Sequence, residues 1–431
     1  MISFRSNIPN ILMTIAVFAA TIFRKPQLLY HPRFYAEEGS IFFQFAFNNS
    51  FLHYLLTPHF GYYALYNVIS TSLAALFPLE ISPLITTYEA LILQLSVSLY
   101  VVWSDISLFN THFKRYLIAI SFPLLCPGQI WLTTVGIQYW LCILTVIILL
   151  DKYPTENDRI SKTELSLLAL AGLTGILSCI MTPLFIIKAV ETKSKKYMTY
   201  AYCLTSCSIL QISVFVYTLL HNANELTERF ISVDETYVKI IKQTTLLTSK
   251  LLASDNTLNY DFVDKIDKMT MHLMITLWNM PVLEKYVAVY FLTGFVMLLI
   301  ILPLLVIHRN NTDMLFIIFS AITVYTISVK LSINGVGGPR YIFAPSAMIM
   351  IFLVSAYGNK GANSIFNCLI LMLISLIMVN NCINYIPSMD KYYNDEWPRW
   401  EEEVGIWRRD GNHQLKIWPP PWQMSLKRES L

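Results

Sequence analysis

Glu37 and Glu38 stand side by side in PRFYAEEGSIFFQF, residues 32–45, a stretch that is otherwise oily and aromatic. A carboxylate at a membrane surface suits general-base work, taking the proton from a hydroxyl such as that of a sugar, a role typically worth about 100-fold to 10,000-fold in rate. The plainer reading is a helix cap: Gly39 and Ser40 would open a helix, and its dipole favours an acid at that end. A cap explains one glutamate more easily than two in a row. A second chemical signal lies in SVKLSINGVGGPRYIFAP, where three glycines and a proline make a tight loop between two apolar runs. Lys330 ends the first run, and Arg340 and Tyr341 open the second. A cation inside a span costs about 2.5–3.5 kcal/mol, so one at the rim has a partner or snorkels to lipid phosphate. The functional alternative is a clamp on a phosphate, which the planar fork of arginine fits.

Aromatic side chains flank these groups. TPHFGYYALYN places Tyr62 and Tyr63 at the mouth of an apolar run, either as an interfacial belt or as faces on which a sugar ring stacks. The tail holds five of the nine tryptophans, Trp418 and Trp422 among them, interleaved with acids, arginines and prolines. So much aromatic surface predicts a small ordered cap rather than a disordered tail. Glu89, in TTYEALIL, is an ionisable group inside a span, expected to pair with a basic residue between helices. His53 and His59 have no metal-ligand partner at a useful spacing and read as structural. The seven cysteines fall in or beside apolar runs and read as packing residues, with no zinc spacing.

The elements that must position these residues are membrane helices. Of 431 residues, 55% are hydrophobic and 14% charged, and the mean hydropathy is +0.51; a soluble protein would carry roughly twice that charged fraction. The net charge of +3 is spread over many loops and gives no case for nucleic acid. The pattern predicts an all-α polytopic membrane protein with about 9 to 12 transmembrane or re-entrant helices. Spans are expected at 8–23, 61–79, 84–103, 136–150, 197–220, 286–307, 313–331, 342–357 and 364–384, the first retained rather than cleaved as a signal peptide. Two more apolar stretches, 116–134 and 164–187, are broken by prolines and glycines and are expected to dip and return.

The short loops 151–162 and 190–197 are the most basic and are placed in the cytoplasm, which requires 164–187 to be a hairpin or re-entrant pair. The acid-bearing loop 24–60, the polar segment 221–285, the glycine loop and the tail 386–431 then share the opposite face. Four regions follow: a membrane module over 1–220 with its large first loop, the polar segment 221–285, helices over 286–385, and the tail. Within the first loop, Phe42, Phe45, Leu52, Leu55 and Leu56 recur at helical spacing, an amphipathic helix lying along the interface.

YAEEG, GGPRY and WPPPWQM, with this layout, resemble the GT-C-type glycosyltransferases that use polyprenyl-phosphate sugars. More closely they resemble the serotype-converting O-antigen glucosyltransferases of the bacterial inner membrane. Many of those read Glu-Asp where this chain reads Glu37-Glu38. The resemblance implies a polyprenyl-phosphate-linked hexose as donor, a polysaccharide such as the O-antigen of lipopolysaccharide as acceptor, and an active site facing the periplasm. Glu37 or Glu38 would be the base, Arg340 with Lys330 and Tyr341 would hold the donor phosphate, and Tyr62, Tyr63, Trp418 and Trp422 would stack on sugar. No cofactor is called for, no metal ligands are assigned, and a divalent metal is left open. A lipid-linked polysaccharide polymerase, or a flippase or other transporter of lipid-linked sugars, is the competing expectation. A transporter would show charges along a central cavity and matching broken helices, whereas here they gather at one face.

Overall fold

A computed structural model describes residues 7–151, 159–221, 301–330, 339–358, 364–390, 392–393 and 397–427. The polar segment 221–285 beyond His221, most of the expected span 286–307 and the glycine loop before Pro339 lie outside the described residues; 301–307 is helical. The helices are α1 (Ile8–Phe23), α2 (Gln44–Asn48), α3 (Phe51–Leu56), α4 (Leu65–Ala75), α5 (Ser82–Trp103), α6 (His112–Leu125), α7 (Ile137–Leu149), α8 (Lys162–Leu173), α9 (Thr182–Thr192), α10 (Lys195–His221), α11 (Thr312–Lys330), α12 (Pro339–Ala356), α13 (Ser364–Ile383) and α14 (Trp400–Arg409). A two-stranded antiparallel hairpin, β1 (Leu415–Lys416) with β2 (Gln423–Met424), pairs Leu415 with Met424 and Lys416 with Gln423.

The chain is a mostly helical membrane protein, and the described residues do not reach the expected count. Among the described residues four helices, α5, α10, α12 and α13, are long and apolar enough to cross a bilayer, and α1, α7 and the Thr312–Ser328 part of α11 are apolar but shorter. Local backbone explains the shortfall at 61–79. Gly61 at φ +75 and Phe60 at φ +56 form a left-handed turn, so the helix starts only at Leu65 and runs 11 residues, about 16 Å against a hydrocarbon core of about 30 Å. The stretch 116–134 breaks as its prolines require: α6 ends at Leu125 and a single 3-10 turn follows at Gly128–Ile130. The stretch 164–187 yields two half-length helices, α8 and α9, with Gly175 at φ +104 between them.

The molecule divides into two units. The first comprises 1–107, 128–226 and 389–431. Its centre is α7, whose residues are buried on every side except Gln138, as expected of a helix apolar all round. Around it pack α5 and α8; α10 packs on α8 and α9, and α1 on α5. At one end of this unit Lys196 reaches Asp151 at 2.6 Å and Glu164 at 3.0 Å, while Lys188 donates to the carbonyl oxygens of Leu149 and Asp151. Asp151 and Glu164, on either side of the first basic loop, thus lie beside Lys196 of the second, the geometry that a returning 164–187 demands. The second unit, 108–127 and 227–388, is built on α12, buried along its length among α6, α11 and α13. There the Lys114 ammonium is buried and donates to the Ser355 carbonyl at 3.0 Å.

The tail belongs with the first unit. Phe34, Phe43, Leu79, Trp400, Leu415 and Ile417 share one buried cluster; Phe34 stacks on Phe43 at 4.2 Å, and the Trp400 indole N–H donates to the Leu79 carbonyl at 2.8 Å. α14 carries Glu401, Glu402 and Glu403 in its first turn and Arg408 and Arg409 in its last, a charge order that suits its dipole. Gly39 lies where this cluster meets the acidic loop: a Cβ there would come within 2.7 Å of Phe34 Cβ and 2.8 Å of Ile417 Cδ1. Gly39→Ala is therefore expected to cost about 1–3 kcal/mol by overpacking, read as a lowered midpoint of detergent-induced unfolding; an unchanged midpoint would mean that the loop and strand part freely.

Candidate functional site: the acidic loop and its clasp

Loop 24–60 folds back on the tail before it becomes helical. The Trp418 N–H donates to the Phe34 carbonyl at 2.9 Å and the Ala36 N–H returns to the Trp418 carbonyl, so residues 34–36 form a short parallel bridge with Trp418. Arg33 donates to the Lys416 carbonyl at 3.1 Å and lies 5.8 Å from the Trp418 ring centre. Burial draws the Arg33 guanidinium down to about 10, opposed by the charges of Glu403, Glu401 and Glu402. Tyr393 completes the clasp: its ring is 5.0 Å from Trp418 and 5.5 Å from Tyr35, and its hydroxyl donates to the Trp131 carbonyl at 3.0 Å.

This clasp holds Ala36 at φ +42, a conformation that strains any residue with a Cβ and persists only where its surroundings impose it. A wide π-helical turn follows over Glu38–Phe43 and leads into α2. The amphipathic helix is thus present but short, and Asn49 and Ser50 break it before α3. Both glutamates are at its start, as the capping reading required.

The turn separates their surroundings. Glu38 is 2% exposed. Its Oε1 accepts from the Thr134 N–H and the Thr134 hydroxyl, each at 2.8 Å, and its Oε2 accepts from the Tyr35 N–H at 3.2 Å. Thr134 lies three residues before α7, and Leu132 near it is also left-handed at φ +51. Burial pushes the Glu38 carboxyl up to about 7; the Thr134 and Tyr35 hydrogen bonds pull it down and the Glu89 charge adds to the rise. Glu37 is half-buried, with its Oε2 buried.

Folded, the Glu38 carboxyl titrates at about 7, against an ordinary 4.5. Between those pH values the folded chain keeps a proton that the unfolded chain has released, so stability falls as pH rises from about 4.5 to about 7 and is level on either side, a difference of about 3 kcal/mol. Unfolding in detergent at pH 4 and pH 8 is expected to show this loss, and Glu38→Gln to abolish it. A wild-type protein equally stable at both would remove Glu38 from the buried, raised class.

The other residues singled out by sequence fall as follows. Tyr63 is tied through its backbone: its N–H donates to Gln211 Oε1 at 2.9 Å and its carbonyl accepts from Gln211 Nε2 and the Gly175 N–H, each at 3.0 Å. Tyr62 is half-buried and forms a backbone bridge with His59. Trp418 is 7% exposed and structural in placement; Trp422 is 37% exposed. In the second unit Arg340 opens α12, with Nη2 donating to the Tyr341 hydroxyl at 3.2 Å and the guanidinium 5.1 Å from that ring's centre. Lys330 ends α11, its side chain outside the described residues. Glu89 accepts a short hydrogen bond from Ser70 rather than pairing with a base, because α4 lies against it.

Thr134 and the 33–36 bridge to the tail escaped the sequence reading. WLTTVG offered two hydroxyls beside a glycine, but nothing local marks one of them as a carboxylate partner 96 residues away. No group of three or more His, Cys, Asp or Glu side chains able to hold a metal occurs among the described residues. Compared with known proteins, the chain matches no family model, no curated protein and no solved structure.

Proposed function

We propose that this protein is a membrane-embedded glycosyltransferase of the GT-C type, moving a hexose from a polyprenyl-phosphate carrier to a cell-surface polysaccharide such as O-antigen at the periplasmic face of a bacterial inner membrane. The observation that carries the reading is the division of labour in the acid pair. Glu38 is locked by three hydrogen bonds in a strained, clasped loop, while its neighbour Glu37 keeps part of its surface exposed. A fully buried carboxylate is an anchor; the half-buried one beside it is the one that a substrate can reach.

In this reading the acceptor hydroxyl attacks the anomeric carbon of the donor in one displacement. The new glycosidic bond forms as the bond from that carbon to the phosphate oxygen breaks, Glu37 takes the hydroxyl proton, and the polyprenyl phosphate leaves as an anion. The resemblance assigns the phosphate charge to Arg340, aided by Lys330 and Tyr341, all of the second unit. Tyr62, Tyr63 and Trp422 supply aromatic faces for sugar.

The test is the mass and linkage of the surface polysaccharide from cells with and without the protein, alongside cells carrying Glu37→Gln. A gained hexose that disappears in the variant supports the reading. An unchanged repeat unit with altered chain length would replace it with a polymerase, and no change in either would move the assignment to transport.

A further inference from the structure

Where the two basic loops of the first unit approach each other, their charges divide into an inner and an outer set. Inside, Lys196 is buried and holds Asp151 at 2.6 Å and Glu164 at 3.0 Å. Glu164 also accepts from the Tyr200 hydroxyl at 2.7 Å and the Tyr100 hydroxyl at 3.3 Å, so both of these acids are engaged within the protein. Outside stand Arg159, Lys162, Lys193 and Lys195, all exposed. Glu191 is the one exposed acid among the described residues of 151–164 and 190–197. The Ser161 N–H donates to the Tyr200 hydroxyl at 3.3 Å, which ties the stretch bearing Arg159 and Lys162 to the start of α10, where Lys195 stands.

Next to these cations the helices turn apolar faces outward. On α10, long and apolar enough to cross a bilayer, Lys195, Met198, Tyr202 and Ile209 are exposed at helical spacing, so a lysine heads an apolar stripe. On α9, Ile186, Ile187 and Val190 are exposed, and Lys193 follows them at φ +51, a left-handed turn that passes the chain directly into α10. Each stripe therefore ends in a lysine at the same turn. Cations at the end of a lipid-facing helix stand at the depth of the headgroups, where a negative membrane surface attracts them. A soluble phosphate compound would use the cations and leave the stripes without a partner. A zwitterionic lipid would cover the stripes and bring no net negative charge to the cations. An anionic phospholipid does both.

We infer that this rim is a docking site for anionic phospholipid: Arg159, Lys162, Lys193 and Lys195 meet headgroup phosphates while acyl chains lie along the exposed faces of α9 and α10. Lipid headgroups across the rim hold the start of α8 and the turn between α9 and α10 from outside, as Lys196 does from inside. The site is separate from the acid pair and stands whatever reaction Glu37 serves.

The full chain in detergent is titrated separately with phosphatidylglycerol, phosphatidylcholine and glycerol 3-phosphate, and bound molecules are counted by native mass spectrometry. Wild type is expected to take phosphatidylglycerol in preference to the other two. Each cation near an anionic surface contributes about 5-fold, so Lys193→Gln with Lys195→Gln, and Arg159→Gln with Lys162→Gln, should each weaken phosphatidylglycerol binding about 25-fold. All four side chains are exposed, so these variants leave the buried Lys196 network in place. Lys193→Arg with Lys195→Arg should bind as wild type does, and so should Arg409→Gln, which removes an exposed cation from the end of α14. Equal binding of phosphatidylcholine by wild type, or unchanged phosphatidylglycerol binding in both glutamine pairs, would overturn the inference. Glycerol 3-phosphate bound as tightly as the lipid would replace it with a soluble phosphate ligand, and an equal loss in Arg409→Gln would reduce it to unspecific surface charge.

Discussion

Glu37→Gln is expected to insert, fold and accumulate like the wild type while losing about 100-fold to 10,000-fold in the rate of the proposed sugar transfer, the range that a positioned base supplies. Glutamine keeps the shape and the polarity of the side chain and removes only its ability to accept a proton. Because Glu37 is half-buried while the loop is held by Glu38, Ala36 and Trp418, the substitution leaves the clasp in place. Glu38→Gln behaves differently. Its carbonyl oxygen still accepts from Thr134, but an amide N–H2 now meets the Tyr35 N–H where an acceptor stood, so the loop loosens and transfer falls by less. The comparison is made with purified protein, a polyprenyl-phosphate hexose and an oligosaccharide acceptor. Full activity in Glu37→Gln with none in Glu38→Gln would exchange the two roles; full activity in both would return the pair to the status of helix caps.

Trp418→Ala is expected to cost about 3–5 kcal/mol, the penalty for emptying a large buried aromatic site, and to release the tail. The ring stands against Tyr393 and Arg33, and its backbone carries the bridge to Phe34 and Ala36. Without the ring, Arg33 and Tyr393 lose a shared surface and the left-handed turn at Ala36 loses the neighbour that imposes it. Limited proteolysis should then cut the residues after Arg409 at protease levels that leave the wild type whole, and transfer should fall with it. Unchanged protease resistance would show that Trp400 and Ile417 hold the cap without Trp418.

The sequence made the long helices legible because each is a continuous apolar run: the expected 84–103, 197–220, 313–331 and 364–384 lie within two residues of α5, α10, α11 and α13. Hydropathy fails where backbone conformation decides. Apolar composition continues from Gly61 through Leu79, yet the left-handed turn at Phe60 and Gly61 allows only α4 to form. The acid pair was visible as an oddity of residue type, since two carboxylates in an aromatic stretch demand an explanation. What told them apart was not local. Thr134 and Trp418 reach the loop from distant parts of the chain, and no periodicity or propensity records such a meeting. The short helix after the glutamates was legible through its phenylalanines.

The hydrogen bond from Arg33 to Lys416 joins positions 383 residues apart. Contacts of such separation form late, because the whole intervening chain must be in place first. During synthesis the acidic loop is made long before the strand that shapes it. A chain stopped between the two therefore holds both glutamates and lacks the partner that bends Ala36, so in the proposed reading it stays silent toward lipid-linked sugar until that strand is made and closes the clasp.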